Sequence, residues 1–189
     1  YQHTLPSESV EKLKYLKSIA AVDQFRALDI TYNEFPVVLA TGDFSVLSQY
    51  GNLVIKTGPP AQELANVMVG QNRAMVSEAF SLKHKVSVGE NIELQTPNGP
   101  AQMEVAAIYF DYSRERGYII LDRTTFLNYF KETAINSFVI YLDDKNQLDS
   151  TRKEILKTLK DHRLIIRSNS ELKQQVMEVF DKTFAIPYS

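Results

Sequence analysis

The chain has 189 residues, 44% of them hydrophobic, enough for one medium domain or two small lobes with a real core. Its 21 basic and 23 acidic side chains are interspersed and give a net charge of −2, so no basic block exists to neutralise phosphates and nucleic acid is excluded as an expected partner. Cysteine is absent, which excludes a disulfide framework and any thiolate metal or redox centre.

The first element predicted is an amphipathic helix after Pro6. Ser7 is placed to cap it, and Val10, Leu13, Leu16, Ile19 and Ala20 recur at helical spacing. From Val22 to Thr31 the pattern turns strand-like. Asn33-Glu34 makes a turn, and Phe35 to Ala40 returns as a strand; Pro36 cannot donate to a ladder, which argues for an edge or a strand start there. Phe44 to Tyr50 reads as a short helical turn ended by Gly51, and Leu53-Val54-Ile55 as a small strand. Gly58-Pro59-Pro60 is a strong breaker. Ala65 to Val69 reads as a strand, and Gly70 to Arg73 as a turn.

The most informative stretch runs from Met75 to Asp122. A short strand leads to Ser77, which can cap a helix ending in Lys83, His84 and Lys85, where positive charge suits the helix dipole. Ile92 and Leu94 alternate with polar residues before Pro97-Asn98-Gly99, and Met103, Val105 and Ala107 alternate after it, which is a hairpin signal. Tyr118 to Leu121 is a strand, and Asp122 can cap a helix through Lys131. The last third reads as β-α-β. Ser137–Leu142 is a strand, and residues 147–161 form a helix with Leu148, Ile155, Leu156 and Leu159 on its apolar side. Leu164–Ile166 is a second strand. Ser168 and Glu171 form a capping-box pattern that opens a final helix with Leu172, Val176, Val179, Phe180 and Phe184.

Val76-Ser77-Glu78-Ala79-Phe80, then Val88-Gly89-Glu90 and an apolar hairpin, resembles the extracytoplasmic core domain of FtsX/MacB-type ABC transporter permeases. The segment from Tyr112 to Asp122, Arg167 to Leu172 and Val179 to Ala185 fit the same pattern. The likeness is strongest to the first such domain of the long, many-helix permeases. Glu90 stands where that family usually has Asp, a change that keeps the carboxylate.

The resemblance implies an α+β fold of two lobes. A porter-like βαβ lobe is expected from residues 1–48 with 117–189, and a smaller, mostly β lobe is inserted at 49–116. It further implies a piece of a longer protein, the loop domain between two membrane helices on the extracytoplasmic side of the inner (plasma) membrane; the start at Tyr1 agrees with this expectation. The chain has no apolar run near the ~18 residues that span a bilayer. The implied partners are a cytoplasmic ABC ATPase subunit, acting through the full-length permease, and an extracytoplasmic protein or lipid. A dimer of the full-length protein is also implied. The open end of the final helix is expected to run on into a membrane helix and carry motion from it. The implied role is export or release of a lipid, a lipoprotein or a peptide, or action on a partner protein. The alternative reading is a stand-alone extracytoplasmic ligand-binding module.

No catalytic constellation emerges. His3, His84 and His162 lack metal-ligand spacing, so no metal or cofactor is expected. Ser77 and His84 lie about 10 Å apart along one helix, too far to act as nucleophile and base. No Gly-rich phosphate loop occurs, so ATP binding is assigned to another polypeptide or domain. The candidate contacts for a partner or ligand are Phe35 and Val37 beside the tight turn, and Arg114 and Arg116 in the polar loop.

Overall fold

The structure, a computed structural model, describes residues 4–111, 116–169 and 176–181. The expectations placed on His3, Arg114, Glu171, Leu172 and Phe184 lie outside the described residues. The fold is mixed α and β. Its contacts divide the chain into two units, Tyr1–Arg26 with Thr133–Ser189, and Ala27–Glu132. Strand β1 (Ile19–Tyr32) gives its first half to one and its second half to the other.

Unit 1 is a sheet in the order β1, β8 (Ser137–Leu142), β10 (Val176–Asp181), β9 (Leu164–Asn169). Strand β10 pairs antiparallel with both β8 and β9. The outer two therefore run parallel, joined through helix α6 (Leu148–Thr158), which is a β-α-β crossover with a third strand between its arms. One core holds Val10, Leu13, Val22, Phe138, Ile140 and Ile155. Ser18 Oγ meets Thr151 Oγ1 at 2.8 Å, fixing α6 to the turn before β1.

The structure departs from the expected elements at several places in the two units. Helix α1 covers only Ser7–Glu11, tightens into a 3-10 turn over Lys12–Tyr15, and leaves Ile19 and Ala20 to β1. Pairing of β1 with β8 outweighs the weak propensity of a short helix. Pro6, not Ser7, occupies the N-cap, without a side-chain cap bond. Leu156, expected on the apolar side of α6, is 46% exposed, because one step along a helix turns Ile155's neighbour off the buried stripe. Residues 176–181 are strand, not helix. Val176 and Val179 fit a 3.6 period, but Met177 and Val179 are two apart and enter the same core, as a pleated strand requires. Ser168 lies in β9 and accepts a hydrogen bond from Arg152 Nη2, so it opens no helix.

Unit 2 has the strand order β3 (Ile55–Thr57), β6 (Gly99–Tyr109), β4 (Arg73–Ser77), β7 (Tyr118–Asp122), β2 (Phe35–Gly42), β1, with β5 (Asn91–Thr96) also on β6. Helices α2 (Phe44–Tyr50), α3 (Leu64–Met68), α4 (Glu78–His84) and α5 (Arg123–Phe130) complete it. A further departure is α3, expected as a strand. Leu64 and Met68 are both buried at i, i+4, which a helix places on one face. The β5–β6 hairpin forms as expected, with Gly99 at a φ of +100° closing the turn.

The sequence expectation divided the chain near 48/49 and 116/117; the contacts divide it at 26/27 and 132/133. The reason is pairing. β2 runs parallel to β7, β7 pairs with β4, and Val37, Leu39, Ile119, Leu121 and Phe126 share one core with Val76 and Phe80. Segments 27–48 and 117–132 thus belong with the inserted unit, which is the larger of the two.

Candidate partner-docking site

The site is built on α4 of unit 2. Ser77, at the end of β4, accepts hydrogen bonds from Phe80 N (3.3 Å) and Tyr118 N (3.0 Å), so its buried hydroxyl caps the helix and ties it to β7. Its oxygen is held by these backbone donors, and its role is architectural. At the other end, Lys85 takes the left-handed conformation at φ 54° and stops the helix, leaving Lys83 and His84 in the last turn.

His84 does not face Ser77. It packs against Phe80 one turn earlier, with ring centroids 4.6 Å apart, and meets Tyr32 and Phe35 edge-on at 4.9 and 5.9 Å. Lys83 Nζ stands 4.1 Å from the centre of the Phe35 ring, within cation–π range. Tyr32 and Phe35 flank the two-residue turn Asn33-Glu34, where both residues have positive φ (46° and 69°). The end of α4 therefore grips the tip of the β1–β2 hairpin through an aromatic cluster. Burial, and then the charge of Lys83, lower the His84 pKa below its ordinary value. Burial, and then Glu93, raise that of Tyr32. The arrangement favours a neutral imidazole under an exposed phenyl ring. It suits binding; it offers no nucleophile with a base.

Of the candidate contacts, Phe35 is 47% exposed at the tip, whereas Val37, two residues on, is 2% exposed and belongs to the core. Arg116 is exposed and pairs with Asp29 at 3.2 Å, and Arg114 lies outside the described residues. The structure therefore keeps Phe35 and Arg116 on the surface. It adds Tyr32, Phe80, Lys83 and His84 to the site, residues that the sequence reading did not connect with Phe35. The i, i+4 pair Phe80 and His84 was a visible signal; the cross-element contact to Tyr32 and Phe35 was not. Among the described residues no group of three His, Asp or Glu is placed to hold a metal ion.

The fold has solved counterparts. The chain matches the extracellular domain of the noncanonic ABC-type transporter YknZ from Gram-positive bacteria, with a TM-score of 0.63 and 16% identity over 84% of this chain and 83% of that one. It matches the periplasmic region of MacB from Actinobacillus actinomycetemcomitans with a TM-score of 0.62 and 14% identity, over 85% of this chain and 75% of that one. The α+β fold expected from the sequence is thus the fold of ABC-transporter extracytoplasmic domains. In sequence, an uncharacterized ABC transporter permease protein of Mycobacterium tuberculosis, Rv0987, is 23% identical over 114 residues, which is 59% of this chain and only 13% of that protein's length. No family model matches.

Proposed function

We propose that this chain is the extracytoplasmic domain of an ABC transporter permease. It lies on the outer side of the inner (plasma) membrane and couples ATP-driven movement of membrane helices to export or release of a lipid, lipoprotein or peptide, or to a partner protein. The observation that carries the reading is the fold shared with the YknZ and MacB domains over more than four fifths of the chain. ATP hydrolysis belongs to a separate nucleotide-binding subunit on the cytoplasmic side. Unit 1 holds both Tyr1–Arg26 and Thr133–Ser189, so motion arriving along the chain from either direction enters unit 1 before unit 2. In this reading the coupling runs through β10 and the segment before α1. Residues 176–181, expected within a terminal helix, take part in it as a strand. In the same reading the full-length protein pairs as a dimer, and Phe35 and Arg116 are the surface residues through which a partner is met.

The test is topological. The chain has no cysteine, so Asn98→Cys in the exposed β5–β6 turn gives it a single thiol. In the intact parent protein, a membrane-impermeant maleimide added to whole cells or spheroplasts is expected to label that thiol. Labelling only after the membrane is opened would overturn the reading.

A further inference from the structure

A backbone bridge ties the segment before α1 to the segment that opens β8. Leu5 precedes Pro6, and the residue before a proline is driven into extended backbone. Leu5 N donates to Ile135 O at 2.6 Å, and Ile135 N donates to Leu5 O at 3.0 Å. The two residues thus exchange both backbone bonds as an antiparallel pair. Their side chains are 1% and 0% exposed in the core of unit 1, so water does not compete for these bonds. The next residue extends the tie to β1. Asn136 N donates to Phe25 O at 2.8 Å, and its buried Oδ1 accepts from Arg26 Nη1 at 3.2 Å.

The registers place this tie at one end of the unit 1 sheet. Ser137, the first residue of β8, pairs with Phe25 on β1 and with Phe180 on β10, and β10 ends one residue later. Unit 1 gives way to unit 2 after Arg26, and the chain returns to it at Thr133. Two routes therefore run from Leu5 to these connections. The covalent route passes through α1, a helix of 5 residues, then its 3-10 turn and the first half of β1. The other crosses the bridge to Ile135, which adjoins Asn136 and lies two residues from Thr133. A short helix followed by an exposed turn at Lys17 is compliant, whereas a buried pair of backbone bonds is stiff.

We propose that the Leu5–Ile135 bridge, with Asn136, Phe25 and Arg26, is a rigid joint that hands displacement of the segment before α1 to both connections with unit 2, bypassing α1. This deepens the permease reading by naming the residues that carry the coupling, and it rests on that reading for the source of the motion.

The experiment places the same slack on either side of the bridge. Gly-Gly inserted between Thr4 and Leu5, or between Pro6 and Ser7, adds about 8 Å of flexible chain. Leu5 stays beside Pro6 in both, and Pro6 makes no side-chain cap bond for the second insertion to break. Spin labels on Asn98→Cys and Lys160→Cys, exposed positions in different units, report their separation in the intact parent protein with its ATPase, with and without ATP. The separation is expected to shift when ATP is added. The insertion before Leu5 is expected to cut that shift about two-fold or more, leaving what arrives through β10, and the insertion after Pro6 to leave it unchanged. Circular dichroism and hydrogen-exchange protection of Ile135 N identify a variant that has lost its fold or its bridge.

A shift reduced equally by both insertions would put the route through α1 and overturn the proposal. So would a shift kept in full by both, or no shift in the parent protein without an insertion. A second measurement needs neither insertion to fold. Antiparallel partners of this kind stand within disulfide reach, so Leu5→Cys/Ile135→Cys, without the spin-label sites, is expected to cross-link to the same extent with and without ATP. A yield that falls when ATP is added would show a joint that opens, and would overturn the proposal. None of these outcomes alters the thiol-labelling result, so the joint and the permease reading fail separately.

Discussion

At the scale of single residues, Asp122 does the most for unit 2. Its Oδ1 accepts from Phe44 N at 3.1 Å, and its Oδ2 accepts from Thr124 N at 3.0 Å and Gly70 N at 3.3 Å. One buried carboxylate thus caps α5, holds the start of α2 and closes the turn after α3. Charge-assisted bonds of this kind are worth more than neutral ones, and unsatisfied buried donors are costly. Asp122→Ala is expected to lose about 3 kcal/mol in urea unfolding, with Asp122→Asn intermediate. His84 supplies the pH dependence. Its folded pKa is lowered by burial and Lys83, while its unfolded pKa stays near about 6.5. The unfolded chain therefore binds the proton more readily. Stability from this group is fully present above the unfolded value, declines as pH falls through the folded one, and levels off below it. The groups facing the imidazole are Tyr32, Phe35, Phe80 and Lys83, and none is a carboxylate that would reverse the sign. His84→Phe is expected to reduce the loss of unfolding midpoint between pH 7.5 and pH 5 (the window that brackets the ordinary histidine pKa of about 6.5); an unchanged loss would assign it to other groups.

At the scale of elements, the β1–β2 turn carries strain that can be measured. Asn tolerates the left-handed region, but Glu34 at φ 69° does so at a cost of about 1–2 kcal/mol. Glu34→Gly removes that cost and adds back about 0.5–1 kcal/mol of backbone entropy. A net gain near 0.5–1 kcal/mol is expected, a rise of about 2 °C in Tm for a chain of this size. A fall would mean that the Glu34 side chain holds the turn.

The same scale shows what was legible beforehand. α4, α5 and the β5–β6 hairpin were readable because their signals are local: Ser77 and Asp122 cap within three residues, and Gly99 closes its own turn. β10 was not. Val176, Val179 and Phe180 satisfy helical spacing, and pairing on one side with β8, distant in sequence, and on the other with β9 decides for strand. α3 failed likewise, since Ala65 to Val69 is short and apolar, and the burial of Leu64 and Met68 on one face decided it. The docking site was half legible. Phe35 could be picked out beside its turn, but Val37 was assigned to the same surface because the two share one strand face, and alternation does not say how far along the strand the core begins.

At the scale of the whole molecule, each unit has its own closed hydrophobic core. That of Ala27–Glu132 includes Phe126, fully buried and stacked on Phe130 with centroids 4.6 Å apart; that of the other unit includes Phe138, fully buried on β8. Among the described residues none belongs to both cores, so damage to one core removes packing from that unit alone. Phe126→Ala and Phe138→Ala are each expected to cost about 3–5 kcal/mol, because a phenyl-sized cavity relaxes only in part. Hydrogen exchange followed residue by residue distinguishes where the loss is felt. Phe126→Ala should raise exchange in β4, β6 and β7 while β8 and β10 keep their protection, and Phe138→Ala should do the reverse. Equal loss of protection in both sheets from either substitution would show one cooperative unit. In that case motion entering the segments flanking unit 1 would reach the hairpin tip without a separate step, and the coupling proposed for the permease would act on the domain as a single body.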